Sequence, residues 1–183
     1  MRFIEDVRNP ITQRLEKYLG IPVKLSDQTS PVPESPFCFY SVITPYASTG
    51  ELGHYDVSNI TDTSKVTITR TEQPSATFSF TFASFNRWTK DAEGNDCEPY
   101  IYGEDESVSL SEKAQGFFLH TGRDALSSLG IVVVDVTNAV QRTSLVVDEA
   151  ARRHGFDVRV RYTRTDSLIE ETVGGVSTIQ QKE

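Results

Sequence analysis

Residues 74–85 read PSATFSFTFASF. Phe78, Phe80 and Phe82 alternate with Thr77, Ser79 and Thr81, the period-two pattern that gives a β-strand one apolar and one polar face. Three phenylalanines on one face need a covering layer, so the chain must build a sheet with something packed across it. The other face holds only hydroxyls. That is unusual here, because 24% of the residues are charged and 26 acids outweigh 18 lysines and arginines, for a net charge of −8. Thr77, Ser79 and Thr81 are therefore candidates for a face against which something lies.

The flanking segments supply the other layers. Ile4, Val7, Ile11, Leu15, Tyr18 and Leu19 recur at helical spacing and Gly20 stands where a helix-ending glycine belongs, so residues 2–19 read mostly as a helix. Pro10 falls inside this pattern. It marks either a kink or a new helix capped by Asn9. Four prolines at 22, 31, 33 and 36 make 21–36 an extended linker after a short strand at 22–25. FCFYSVITP (37–45) reads as a strand buried on much of both faces, and YASTGELGHYD after it as a loop. KVTITRTEQ (65–73) alternates and ends at Pro74, giving with 75–84 either a hairpin or a single bent strand pair at the edge of a sheet.

Residues 91–112 hold eight acids and no lysine or arginine, and read as a solvated loop. Its DAEGND lacks the regular ligand alternation and closing glutamate of a calcium loop. The spacing Ser109-x-x-Glu112 predicts a capping box opening a helix over 110–129. Leu110, Ala114, Phe117, Phe118, Thr121, Ala125 and Leu129 form its apolar stripe, and the phenylalanine face of 78–82 is its natural partner. GIVVVDV (130–136) reads as a strand buried on both faces or central in a sheet. A turn over 138–142 and a strand over 143–147 follow, then FDVRVRYTR (156–164) as a strand with its arginines outward. The expected fold class is α+β: a largely antiparallel sheet with an N-terminal helix and a central helix packed on one face.

The length fits one domain over 1–183, with an ordered core over 2–165 and a polar tail over 166–183. Acidity argues against general attraction to nucleic acid or anionic membranes. MRFIEDVRNP lacks the basic and apolar regions of a secretory signal, and the longest apolar run, 131–134, is far short of a membrane span. Cys38, in an apolar run, reads as a core residue and Cys97 as an exposed thiol; without a CxxC spacing they favour a reducing, intracellular origin and no metal site.

Catalytic motifs are missing: there is no HExxH, GxSxG, GxxxxGK[ST] or GxGxxG. His54, His120 and His154 lie in separate segments, and Asp135 is the one carboxylate at the end of an apolar strand. A small hydrolase built on Asp135 with His120 or His154, or a monomeric binding module using the hydroxyl stripe, are the alternatives to a structural protein. The reading is not an enzyme, with no cofactor and no metal. Charge layout is more informative. Arg152, Arg153, Arg159, Arg161 and Arg164 gather at one end, and acids including Glu104, Asp105 and Glu106 at another. Arg152, Arg153, Arg159 and Arg161 against Glu104, Asp105 and Glu106 form a candidate head-to-tail contact between copies.

In order, LGIPV, PFCFYSVITPYASTGELGHYD, TRTEQPSATFSFTFASF and GFFLHTGRDALSSLGIVVVDVTNAVQRTSLVVDEAARRHGFDVRVRY resemble the phage neck terminator (tail terminator, or tail completion) proteins of tailed bacteriophages. The resemblance spans 2–165 and is strongest over 130–162. It implies a structural virion protein, made in the host cytoplasm, that caps the head-proximal end of the tail tube, ends tube polymerisation and joins tail to head. It also implies a homo-oligomeric, sixfold ring with a central DNA channel, partnered by the tail tube protein, a head–tail connector or stopper protein and, in a contractile tail, the sheath. DNA would pass without sequence-specific binding, and no membrane is involved. In such a ring, Thr77, Ser79 and Thr81 would face a partner or the channel. No catalytic residue carries over.

Overall fold

The computed structural model describes residues 2–26, 31–50, 52–59, 65–143 and 151–171. A π-helical turn over Phe3–Arg8 leads into α1 (Asn9–Leu19), followed by β1 (Val23–Leu25), β2 (Phe37–Ala47), β3 (His54–Asn59), β4 (Lys65–Glu72), β5 (Ser75–Ser84), β6 (Arg87–Lys90) and β7 (Asp96–Ile101). Then come α2 (Gly103–Gly116), a second π turn over Phe117–Thr121, α3 (Arg123–Ser127), β8 (Ile131–Val136), β9 (Val140–Gln141), β10 (Arg152–Tyr162) and β11 (Arg164–Glu171). The fold is α+β with largely antiparallel sheets, as expected.

The main sheet runs β1-β2-β5-β10-β8, with β9 also on β10; only β1 and β2 pair in parallel. Phe78, Phe80 and Phe82 point from β5 into the core and are fully buried. The helical layer covers them as the alternation requires: the Phe118 ring lies 5.2 Å from that of Phe80, and Phe156 of β10 stacks 5.9 Å from Phe82. Val7, Ile11 and Leu15 of the N-terminal helical segment complete the same cluster. Each fully buried side chain of this size stabilises the fold by roughly 1.5–3 kcal/mol.

Pro10 explains the N-terminal geometry. It offers no N–H, and the preceding Asn9 N–H reaches the carbonyl of Ile4, five residues back, so the helix widens into a π turn instead of breaking. Asn9 makes no side-chain cap at this junction. Gly20 ends α1 at φ 72°, its N–H donating to the Glu16 carbonyl at 2.9 Å.

Several expectations fail for tertiary reasons. The loop read after β2 contains β3, held on β4 from His54↔Thr71 to Asn59↔Val66. The acidic loop is instead the β6–β7 hairpin followed by the first turns of α2. Asp91 closes that hairpin: its carboxylate accepts from the Asn95 N–H at 2.7 Å and the side-chain amide at 3.2 Å, so DAEGND is a turn. The central helix begins at Gly103, not after Ser109, and Ser109 lies inside it. Gly103 is required there because a Cβ would stand 2.7 Å from the Ser84 carbonyl oxygen, and its N–H donates to Asn86 Oδ1 at 2.8 Å. Glu104, Asp105 and Glu106 fill the first turn, where the helix dipole favours acids. The predicted strand over 143–147 lies mostly outside the described residues.

β4 and β5 do not pair with each other. They are one bent run: β5 pairs with β10, β4 with β11, and at the break the Tyr162 N–H donates to the Pro74 carbonyl at 3.1 Å. Beyond it lies a second sheet, β11-β4-β3, an arm that contributes no residue to the described hydrophobic core. The ladder runs to Glu171, past the 165 limit at which the sequence reading ends its core.

Candidate assembly surface

The polar face of β5 is not bare. Arg142, which follows β9, lays its guanidinium across it: Nη1 donates to Ser79 Oγ at 2.6 Å and Thr81 Oγ1 at 3.1 Å, and Nη2 to Asp157 Oδ1 at 2.8 Å. Ser79 Oγ in turn donates to Asp157 Oδ1 at 2.7 Å. Burial works to raise the Asp157 carboxyl, but the hydrogen bonds from Arg142 and Ser79 and the Arg142 charge outweigh it and hold it below its ordinary value. Gly155 makes room for this strap, because a Cβ there would lie 2.4 Å from the Phe80 carbonyl oxygen and 3.0 Å from Arg142 Cδ. The hydroxyl stripe is thus divided. Ser79 and Thr81 are engaged within the subunit, and Thr77 lies opposite the exposed Arg159 in the ladder.

The sequence-predicted contact residues separate in the same way. Arg159 and Arg161 project from β10 into solvent and form no ion pair among the described residues, whereas Arg152 and Arg153 are half-buried at the strand's start. Glu106 is engaged internally, bound bidentately by Arg87 at 2.7 and 2.9 Å and hydrogen-bonded by Ser84. Desolvation pushes its carboxyl up, but Arg87 and Ser84 hold it below the ordinary value. Asp105 is exposed, and Glu104 sits 3.5 Å from His154 Nε2.

Ser107, His154 and Glu104 form a Ser–His–Glu group that the sequence reading does not join. Ser107 Oγ lies 2.9 Å from His154 Nδ1 and donates to the Glu104 carbonyl at 2.9 Å. With that proton spent on the backbone and Ser107 fully buried, the group clasps α2 to β10 and offers a substrate no nucleophile. His154 lies in β10; His120 is exposed on the second π turn and Asp135 on the outermost strand.

β8 departs furthest from expectation. It is read as central or doubly buried, yet it is the edge of the main sheet, with Val132 and Val134 48% and 41% exposed. At the root of the arm, Glu72 has only 5% of its side chain exposed, accepts from Arg70 at 2.6 Å and Tyr46 at 3.0 Å, and leaves Oε1 without a hydrogen bond, 3.7 Å from Arg164. Along the arm, Val57, Ile68 and Leu168 form one cross-strand row, with Val57 and Leu168 61% and 57% exposed. Open edges and uncovered apolar rows are features of a subunit that meets other chains.

Comparison with known families decides what kind of subunit this is. A sequence model described as phage neck terminator protein matches residues 9–183. The chain belongs to the phage neck terminator family. This is a family of structural proteins of the virus particle, and the match extends through the arm to the end of the chain, beyond the 165 boundary of the sequence resemblance. No curated protein matches the chain. Among the described residues of this neck terminator no helix is long and apolar enough to cross a membrane, and no group of three or more His, Cys, Asp or Glu is placed to hold a metal. The residues that organise its surface, Arg142, Arg87, Glu72 and Tyr46, are missed by the sequence reading. Only Gly155 within a strand pattern signals a close approach.

Proposed function

We propose that this chain is a ring-forming structural protein of the phage neck. It caps the head-proximal end of the tail tube, ends tube polymerisation and joins the tail to the head's connector or stopper ring. The copies form a homo-oligomer, a hexamer in this reading, around a channel that DNA passes through without sequence-specific binding. Its neighbours are the tail tube protein, the connector or stopper and, in a contractile tail, the sheath. It works without catalysis. The observation that carries this reading is the family match over residues 9–183; the open β8 edge with its exposed valines supports it, because such an edge is free to take up a further strand.

Arg152, Arg153, Arg159 and Arg161 supply the basic side of the contact between copies, and Asp105 with its neighbour Glu104 an acidic side; Glu106 is the weakest member, being held by Arg87. Thr77 and the open part of its face are the stretch left for a partner or the channel. Net acidity suits a conduit, since each phosphate neutralised by a basic group would add affinity and drag. Electron microscopy of particles carrying an epitope-tagged chain tests the reading. A tagged, pored ring at the head–tail junction is expected, together with unjoined heads and overlong tails when the gene is deleted. Tag density elsewhere, or normal particles after deletion, overturns it.

A further inference from the structure

Two strands of this subunit end a sheet with apolar side chains outward. β8 exposes Val132 and Val134 and carries no lysine or proline; its one charge is Asp135, and its register on β10 shifts at Val134. β11, the outer strand of the arm, exposes Leu168 and Ile169 at 57% and 61%. Beyond their inner neighbours, neither strand has a further ladder partner among the described residues.

The charges beside the two edges are opposite. Next to β8, Arg159 stands across from Asp135 and Arg161 across from Val132, both arginines exposed and without an ion pair among the described residues. β11 ends in Glu170 and Glu171, also exposed and without an ion pair among the described residues. One chain therefore carries both halves of a complementary junction: strand edge to strand edge, each with exposed apolar side chains, guanidinium groups beside one and carboxylates on the other.

We propose that β11 of one copy adds to the free edge of β8 in the next copy. Alternate residues of an added strand share a face, so Leu168 and Glu170 lie on the side of Val132, Arg159 and Arg161, and Ile169 and Glu171 on the opposite side. Strand addition satisfies the open backbone groups of both edges while it buries the exposed valines, leucine and isoleucine. Two different surfaces meet, so the contact is heterologous, and its repetition closes a ring when the rotation between copies allows. The inference rests on the ring reading above and assigns the strands that join its subunits.

The test places a photoreactive benzoylphenylalanine at position 168 of the full chain in assembled particles. After illumination, mass spectrometry is expected to find adducts within residues 131–136 of a second copy, and Val134→Lys should lower their yield about tenfold, equivalent to roughly 1.4 kcal/mol of lost contact. Both positions are exposed, and circular dichroism of the purified variants verifies that the fold survives. Adducts on another protein, adducts elsewhere on the chain, or none overturn the strand pairing. A neck ring seen without these adducts defeats only this inference; particles without the ring defeat the functional reading itself.

Discussion

The body and the arm are built from the same two runs of chain, yet only one of them has a core. β5 and β10 carry Phe78, Phe80, Phe82, Phe156 and Val158, all fully buried under the helical layer. Past the Pro74 break their continuations β4 and β11 carry Ile68 and Leu168 in a row with Val57, and among the described residues no helix lies over that row. Alternation of burial persists through the junction, with Glu72, Pro74 and Ala76 inward and Gln73 outward. The apolar set keeps one phase across the break, Val66 and Ile68 on one side and Phe78, Phe80 and Phe82 on the other, although only β5 alternates in burial along its length. What differs is whether another element arrives to exclude water, and only that converts an apolar face into stability.

The comparison breaks if the body tolerates truncation. Phe80→Ala, which empties the centre of the aromatic cluster, should cost about 3–5 kcal/mol in chemical denaturation of the purified subunit. A loss under about 1 kcal/mol would mean that the helical layer does not depend on β5.

Gly155→Ala probes how tightly the opposite face is built. Its Cβ would meet the Phe80 carbonyl oxygen at 2.4 Å, a backbone atom that cannot swing away, so a loss of about 1–3 kcal/mol is expected. An unchanged midpoint would show that the sheet yields there.

Arg142→Ala sharpens the contrast electrostatically. Because the Asp157 carboxyl is held below its ordinary value, its contribution is complete above the usual carboxylate range near pH 4 and is lost as pH falls through the depressed value. The variant should lose about 1 kcal/mol at neutral pH and show a shallower decline of stability in acid, read from denaturation midpoints between about pH 7 and 3. An identical acid profile would remove Arg142 as the cause.

The smallest effect belongs to the arm. Leu168→Ser should change the stability of the isolated subunit by no more than about 0.5 kcal/mol, since the side chain is 57% exposed. A cost near that of Phe80→Ala would place the arm in the core and erase the distinction.

Much of the body was legible beforehand. The phenylalanine alternation, its helical cover, the stop at Gly20 and the outward arginines of β10 follow from period and sterics alone. The surface was less legible because its residues act across long sequence separations. Arg142 reaches Ser79 and Thr81, Arg87 reaches Glu106, and Ser107 reaches His154; no local spacing encodes these pairs. The capping-box pattern at Ser109 misled because α2 obtains its first-turn partner from Asn86, on the neighbouring strand connection, leaving the box on the exposed middle of the helix as mere composition. β8 misled for a simpler reason. An apolar strand looks alike whether it lies at the centre of a sheet or at its edge.

By itself, then, the sequence determined the α+β class, the aromatic core face and the helices that cover it, because side-chain period fixes which residues share a face. Only the tertiary structure decided that β8 is an edge, that β4 and β11 leave the core to form an arm, and that Arg142 closes two of the three positions of the hydroxyl stripe. Those outcomes depend on strand order and on the layers that reach each face, which period leaves open.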